Sequence, residues 1–241
     1  MFFYANPILI AAAVIPAILL LRYVYRADVL EKEPKGLLIG LVFRGIIATF
    51  LAMVAEGVGD ALLSRIVIPN SLAYNLIMYF GVVALSEEGA KYLLLRRRTW
   101  NSPEFNCRFD GVVYAVFVSL GFALWENIGY VSMYGLGTAA VRALTAVPGH
   151  ACFGVFMGAW YGMARWYENY GDAAQSRSCR RNALLVPVLL HGCYDFIATI
   201  GNYVFGMIFV VFVIIMFSAA RRTVERLSHD DRYIDNGGYF R

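Results

Sequence analysis

Residues 72–95 read LAYNLIMYFGVVALSEEGAKYLLL, an apolar run that is long enough to cross a membrane and that contains two glutamates and a lysine. A transmembrane helix needs about 20 predominantly apolar residues. A charged side chain near the middle of such a helix costs roughly 2.5–3.5 kcal/mol on insertion scales. The stretch therefore predicts a transmembrane helix in which Glu87, Glu88 and Lys91 have partners and serve a function.

The rest of the chain has the composition of a membrane protein. Of its 241 residues, 60% are apolar and 16% are charged, whereas soluble domains carry about 25% charged residues. We predict an all-α polytopic membrane helical bundle of about seven transmembrane helices. It forms one domain at 1–227, followed by a flexible cytoplasmic tail at 228–241, and the polar segment 56–71 is expected at the membrane interface. The apolar segments lie at residues 5–25, 37–57, 72–95, 111–134, 139–166, 183–200 and 203–220.

The distribution of basic residues predicts the orientation of the bundle. Of the 21 Lys and Arg residues, 17 lie in the loops after the first, third and fifth segments or in the C-terminal tail. Basic loops stay on the cytoplasmic side, which predicts an N-terminus outside and a cytoplasmic C-terminus. Arg65 and Arg142 fall on the opposite side. Topology and the lipid bilayer explain the basic clusters, and no nucleic-acid partner is expected.

The third segment places Lys91 four residues after Glu87 and three after Glu88, so that either carboxylate can meet the ammonium on the helix surface. Adjacent residues of a helix point about 100° apart, so one carboxylate can face a reaction centre while the other is held by a neighbour. A buried ion pair that only fixes helix packing is the alternative, but it leaves the second glutamate without a role.

Three further segments place chemically active side chains in the membrane. Glu126 and Asn127 lie in the fourth segment, where a hydrogen-bonded clasp between helices is the structural alternative. His150 begins the fifth segment, and a buried histidine of this kind can be purely structural. His191 and Asp195 lie four residues apart in the sixth, so the carboxylate can orient the imidazole.

Carboxylates and imidazoles on four consecutive spans can converge in the interior of the bundle, where such groups activate water and stabilise an oxyanion. The sequence contains neither an HExxH motif nor an ExxH repeat, which argues against a zincin helix or a di-iron bundle. His150, His191 and Glu126 are an acceptable ligand set for Zn²⁺, so catalysis with no cofactor and catalysis with Zn²⁺ both stay open. A proton-coupled transporter and a scaffold that binds membrane helices are the rival functions.

Several stretches together resemble the PrsW-type intramembrane proteases, which are relatives of the CAAX-prenyl endopeptidase superfamily. They are EKEP at 31–34, SEEGAKYLLL at 86–95, FDGVVYA at 109–115, FALWENIGY at 122–130, PGHACFG at 148–154 and HGCYD at 191–195. The likeness covers most of the chain, and the order and spacing of the stretches make it specific.

The resemblance implies a peptidase of a prokaryotic plasma membrane whose glutamate pair, Glu87 and Glu88, is catalytic. Glu126, His150 and His191 are then expected in the catalytic site, with Lys91, Asn127 and Asp195 in support. Single-pass membrane proteins such as anti-sigma factors are the implied substrates. Where the prenyl endopeptidases have FxxxH, this chain has Phe122-xxx-Glu126, so His150 is expected to replace the missing histidine.

Overall fold

The computed structural model describes residues 7–234, and within that range the chain is helical and forms no β-strand. The helices follow the apolar pattern of the sequence. They are α1 (Pro7–Ala27), α2 (Lys35–Ile66), α3 (Leu72–Leu76), a π-helical segment (Ile77–Ala84), α4 (Leu85–Thr99), α5 (Asp110–Leu144), α6 (Ala146–Asn169), α7 (Ala173–Thr199) and α8 (Tyr203–His229).

Five helical segments are long and apolar enough to cross a membrane: Pro7–Ala27, Lys35–Ile66, Asp110–Asn169, Ala173–Thr199 and Tyr203–His229. The 60-residue segment contains both α5 and α6, which run antiparallel, since Gly111 contacts Gly158 and Gly162 whereas Val116 contacts Gly154. The prediction of an all-α polytopic membrane bundle is thus confirmed. The count of seven spans and the orientation of the termini stay predictions.

Helix α5 lies at the centre of the bundle and packs closely on two neighbours. A Cβ atom at Gly111 would lie 2.6 Å from the backbone nitrogen of Gly162 in α6. On the α2 side, a Cβ at Gly45 or Gly121 would overlap the backbone of the other helix. Small residues allow this close approach of helix backbones in membranes, and it fixes the depth at which α5 presents its polar side chains.

One predicted boundary was wrong, and one helix is longer than its apolar segment. The apolar segment at 139–166 is not one helix, because α5 bends at Gly135 and continues to Leu144 before α6 begins. Gly135 has a φ of 81°, a conformation that glycine adopts without steric cost, and hydropathy does not reveal such a bend. Helix α2 extends to Ile66, well into the segment expected at the interface, and it ends shortly before Pro69, which disfavours helical geometry in the preceding residue.

The helical run from Leu72 to Thr99 changes its winding halfway along. Its π-helical segment ends at Ala84, three residues before Glu87. Here the Phe80 ring fills the space above Gly192 of α7, where a Cβ atom would overlap it. The π-helical segment and Gly192 therefore bring α7 close to α4 at the level of the predicted site.

The segment predicted as a flexible tail begins inside a helix and then packs on a loop. Helix α8 continues to His229. Beyond it, the amide of Ile234 donates to the carbonyl of Asn106 at 2.6 Å, Tyr233 forms a β-bridge with Cys107, and Ile234 is buried. Helix α8 thus continues past the predicted boundary at 227/228, while the division into a domain and a flexible tail stays a prediction. Residues 235–241 of the predicted tail lie outside the described residues.

Candidate active site

Four helices contribute the predicted site residues to a single buried network. Their side chains are linked by hydrogen bonds and ion pairs, and most of them are shielded from solvent. Glu87, Glu88 and Lys91 come from α4, Glu126 and Asn127 from α5, His150 from α6, and His191 and Asp195 from α7. The expected convergence of these residues is therefore present, while their chemical roles stay predictions.

Lys91 is the centre of the network. Its Nζ lies 3.1 Å from Oε2 of Glu87 and 2.7 Å from Oε1 of Glu88. It also lies 3.1 Å from Nδ1 of His150 and 3.9 Å from the centroid of the Phe122 ring. Lys91 is completely buried, so both carboxylates are needed to offset the cost of removing its charge from water.

His191 is held between carboxylates on both sides of its ring. Its Nδ1 lies 3.0 Å from Oε1 of Glu88, and its Nε2 lies 3.3 Å from Oδ2 of Asp195. The Phe153 ring stacks on the imidazole at a centroid distance of 4.7 Å. This stacking and the two acceptors fix the ring plane, and a ring with a proton on each nitrogen can donate to both carboxylates.

His150 connects the lysine to the second acidic centre. Its Nε2 lies 2.9 Å from Oε2 of Glu126, while its Nδ1 faces the Lys91 ammonium. An ammonium has no acceptor, so Nδ1 accepts from Lys91 and Nε2 carries the proton that is donated to Glu126. This tautomer follows from the partners on each side of the ring.

Arg142 belongs to the network although the sequence pattern placed it among loop charges. Its Nη2 lies 2.8 Å from Oε2 of Glu126, and its Nε donates to Oδ1 of Asn127 at 2.9 Å. Asn127 in turn donates to the carbonyl of Ala13 at 2.8 Å. The bend at Gly135 returns the end of α5 toward its middle, and only that tertiary feature shows that Arg142 lies beside Glu126.

A cavity of about 340 Å³ opens beside the network. Glu87, Glu126, His150, His191 and Asp195 line it, whereas Glu88 does not. Its wall also includes residues that sequence reasoning missed, namely Glu56, Tyr79, Tyr130, Arg142 and Tyr194. Glu56 had been assigned to the interface. The feature that could have placed it at the site is that helix α2 continues through it.

The arrangement also contains a group of side chains that could hold a divalent metal, and this group differs from the predicted ligand set. Among the described residues 7–234, one group of three acidic or histidine side chains brings its ligand atoms within 4.8 Å of one another: Glu87, Glu88 and His191. Oε2 of Glu88 is buried without a hydrogen-bond partner. Carboxylates and imidazole are ordinary Zn²⁺ donors, so this trio fits a metal. Lys91, which is bound to both carboxylates, would compete with the metal for them.

The predicted metal set of His150, His191 and Glu126 is arranged differently. Both ring nitrogens of His150 are occupied, one by Lys91 and one by Glu126. Both ring nitrogens of His191 also have carboxylate partners, so the predicted set stays a prediction, and His191 is the residue that it shares with the trio.

Comparison with known proteins agrees with this chemistry. Residues 33–219 match the family described as PrsW family intramembrane metalloprotease. The chain belongs to the PrsW family. Protease PrsW of Bacillus subtilis is 35% identical over 207 residues, which covers 85% of this chain and 90% of that protein. Protease PrsW of Geobacillus kaustophilus is 32% identical over 218 residues, covering 90% of this chain and 91% of the relative.

A third relative, Protease PrsW of Clostridioides difficile, is 29% identical over 228 residues, which covers 92% of each chain. No solved structure matches this chain. The PrsW membership confirms the resemblance found in the sequence, and it shows that the protein is a peptidase of the intramembrane type. Together with the apolar helices, it shows a multi-pass membrane protein of a prokaryotic cell.

Proposed function

We propose that this PrsW protease hydrolyses a peptide bond of a membrane-anchored protein with a water molecule that Glu87 activates in the cavity. The observation that carries the proposal is the placement of Glu87, Glu126 and His191 around one cavity of about 340 Å³ that also reaches Arg142. Such a cavity admits water and an extended segment of a substrate, and its walls supply groups that accept and donate protons.

Glu87 and Glu88 have different roles in this proposal. Glu87 lines the cavity, and its ion pair with Lys91 is the longer of the two at 3.1 Å. Glu88 is fully buried and bound by both Lys91 and His191. We assign the general base to Glu87, because a base must reach the proton that it takes, and we assign Glu88 to holding Lys91 and His191 in place.

His191 and the His150–Glu126 pair complete the chemistry. His191 borders the cavity, and Asp195 holds its Nε2. We assign to His191 the stabilisation of the oxyanion or the donation of a proton to the leaving amine. The His150–Glu126 pair also lines the cavity and can relay a proton from the water. Lys91, which touches both centres, keeps the ionised carboxylates in place.

The family description includes a metal, and Glu87, Glu88 and His191 are the side chains that would hold it. A bound divalent ion supplies Lewis acidity toward a carbonyl and lowers the pKa of water. The chain's own contributions are unchanged in that case. His191 remains oriented by Asp195, and Glu126 remains held by Arg142 and His150.

We further propose the finer topology and the substrate class. The seven spans are α1, α2, the helical run from Leu72 to Thr99, α5, α6, α7 and α8, with the N-terminus outside and the catalytic domain within 1–227. Asn127 contacts Ala13 in the first half of α1, so the cavity lies toward the outer surface. This depth supports cleavage of single-pass membrane proteins, such as anti-sigma factors, close to that surface.

The experiment is cleavage of single-pass membrane substrates by the purified protein in liposomes, with the products identified by mass spectrometry. Native protein should cut at one position near the outer end of the substrate helix, and His191→Ala should lower the rate by roughly 10²–10⁴-fold. Glu225→Gln, which removes an exposed carboxylate of α8, is the control and should cut normally. Full activity in His191→Ala would exclude the proposed role of this histidine.

A further inference from the structure

A second group of buried acids lies at the end of the bundle away from the cavity. We call it the acid cluster, and it consists of Asp28, Glu33, Asp110 and Asp231. Three separate parts of the chain supply it: the α1–α2 connection, the start of α5 and the segment after α8. Asp110 and Glu126 lie on the same helix about 24 Å apart along its axis, so the acid cluster is separate from the catalytic network.

The acid cluster leaves several buried carboxylate oxygens without a partner. Asp28 is fully buried, and neither of its side-chain oxygens accepts a well-formed hydrogen bond. One oxygen each of Glu33 (Oε2), Asp110 (Oδ1) and Asp231 (Oδ2) is also buried and unpartnered, while the other oxygens of Asp110 and Asp231 accept backbone amides. A buried polar group without a partner is costly, and an orphaned carboxylate is more so. Five such oxygens at one place point to a positively charged ligand.

These acids face one another across the three segments. The amide of Phe109, which precedes Asp110, donates to Oδ1 of Asp231 at 2.9 Å, and Ser228 donates its hydroxyl to the carbonyl of Ala27, which precedes Asp28. Asp231 lies close enough to Asp28 to act on its charge, and Glu33 and Asp110 act on each other. Burial raises the pKa of Asp28 to about 6 and that of Glu33 to about 7. The three segments therefore bring their acids together at one place.

The nearby basic side chains offset that charge only in part. Lys32 lies near Asp28, but its ammonium is bound by backbone carbonyls at the end of α1, including those of Tyr25 and Asp28. Arg108 lies near Asp231, but its Nη2 donates to the sulfur of Met163 at 2.9 Å. The surrounding carboxylates of Glu31 and Glu104 add further negative charge.

We propose that the acid cluster binds a hydrated divalent cation of the Mg²⁺ type, which joins the α1–α2 connection and the segment after α8 to the start of α5. The spacing of the acids favours a hydrated ion. Among residues 7–234, the one group of three acidic or histidine side chains with ligand atoms within 4.8 Å of one another is Glu87, Glu88 and His191. The members of the acid cluster lie farther apart than that. Mg²⁺ retains several of its waters and is held through one or two carboxylates, which suits four acids farther apart.

The test measures cation binding by the purified full-length protein carrying His191→Ala, so that the trio in the catalytic network does not contribute. Mn²⁺ serves as the spectroscopic probe, and loss of its free electron-paramagnetic-resonance signal counts bound ions. Mg²⁺ should compete with Mn²⁺ for one site, and saturating Mg²⁺ should raise the Tm by roughly 5 °C.

Single substitutions in the same background assign the site. Asp28→Asn and Glu33→Gln should each abolish Mn²⁺ binding and the Mg²⁺ shift in Tm, and without Mg²⁺ they should be at least as stable as the parent. Asp231→Asn provides a third variant from a different segment if one of these fails to fold. Asp230→Asn, an exposed neighbour, is the control and should keep both responses.

Two results would overturn the proposal. One is the absence of Mn²⁺ binding and of any Mg²⁺ response in the parent protein, which would show that protons neutralise the acid cluster. The other is an unchanged response in Asp28→Asn and Glu33→Gln, which would place the cation elsewhere. Neither result depends on protease activity, so the proposed function is tested separately.

Discussion

At the scale of single residues, the site is a chain of charges in which each member needs its neighbour. Lys91 is bound by Glu87 and Glu88, and Glu126 is bound by both His150 and Arg142. When one member of a buried ion pair is removed, the remaining charge has no partner in the low-dielectric interior, and its full desolvation cost destabilises the protein. Residues that take no part in proton transfer therefore influence the reaction through the groups that they hold.

Arg142 provides a test of this dependence. Arg142→Gln removes the ion pair to Glu126 and should lower kcat roughly 10–100-fold, which corresponds to about 1.4–2.8 kcal/mol in the barrier. Arg142→Lys keeps the charge but loses the planar two-way contact with Glu126 and Asn127, so it should restore only part of the activity. Steady-state cleavage rates in liposomes measure the effect.

The matched control is Arg65→Gln, because Arg65 is the other arginine on the predicted outer side and is exposed. It should retain native kcat. Equal activity in Arg142→Gln and native protein would show that Glu126 does not depend on the arginine.

Metal binding distinguishes the two candidate ligand sets. If the trio of Glu87, Glu88 and His191 holds the metal, His191→Ala should remove bound Zn²⁺ and His150→Ala should retain it, because only the former supplies a ligand atom within the 4.8 Å group. Zn²⁺ titration by calorimetry, in protein carrying Asp28→Asn to silence the acid cluster, measures the difference. Loss of Zn²⁺ in both variants to the same degree would favour the ligand set expected from the sequence.

At the scale of helices, close contacts bring the catalytic side chains to one level. The π-helical segment shifts the face of the helical run from Leu72 to Thr99 just before Glu87, and such segments are frequent at functional sites. Gly192, next to His191, accepts the Phe80 ring of that segment. The distance between Glu88 and His191 thus depends on a glycine that has no chemical role.

Gly192→Val should therefore damage the site without touching a catalytic group. The added side chain overlaps the Phe80 ring, and overpacking of this kind costs about 1–3 kcal/mol. We expect a lower Tm and a large loss of cleavage activity. Gly206→Val is the control, because a Cβ atom at Gly206 in α8 meets nothing within 4 Å. A Gly192→Val protein with native activity would contradict the proposed role of this contact.

The course of the helices also explains which site residues could be predicted from the sequence and which could not. The cost of burying charge in apolar segments identified Glu87, Glu88, Glu126, His150 and His191, and the structure brings all five together. Arg142 and Glu56 were missed, because polar residues near the ends of apolar segments resemble loop or interface charges. Only the bend at Gly135 and the extension of α2 to Ile66 place them at the cavity, and both depend on tertiary structure.

At the scale of the whole molecule, the bundle has two separated polar centres and an apolar exterior. Helix α8 exposes a row of large apolar side chains, namely Val204, Ile208, Val211, Ile214 and Ile215. In the proposed topology the cavity faces the outer side and the acid cluster faces the cytoplasm. A substrate would thus be cut near the outer surface of the membrane. At the cytoplasmic end, the acid cluster joins the C-terminal segment to the bundle.

Cysteine labelling in intact cells tests that topology. A membrane-impermeant maleimide should modify Asn202→Cys, which lies between α7 and α8, and should not modify Asp230→Cys, which follows α8. After the cells are opened, both should react. Labelling of Asp230→Cys in intact cells would reverse the proposed orientation.

The most direct test of the account is the rate of cleavage by Glu87→Gln in liposomes, beside native protein and Glu225→Gln. Glutamine preserves the size of the side chain but cannot accept a proton from water. We predict that kcat falls by roughly 10²–10⁴-fold in Glu87→Gln, that the protein retains its fold by Tm, and that Glu225→Gln cleaves like the native protein. A folded Glu87→Gln protein that cleaves at the native rate would contradict the assignment of Glu87 as the base.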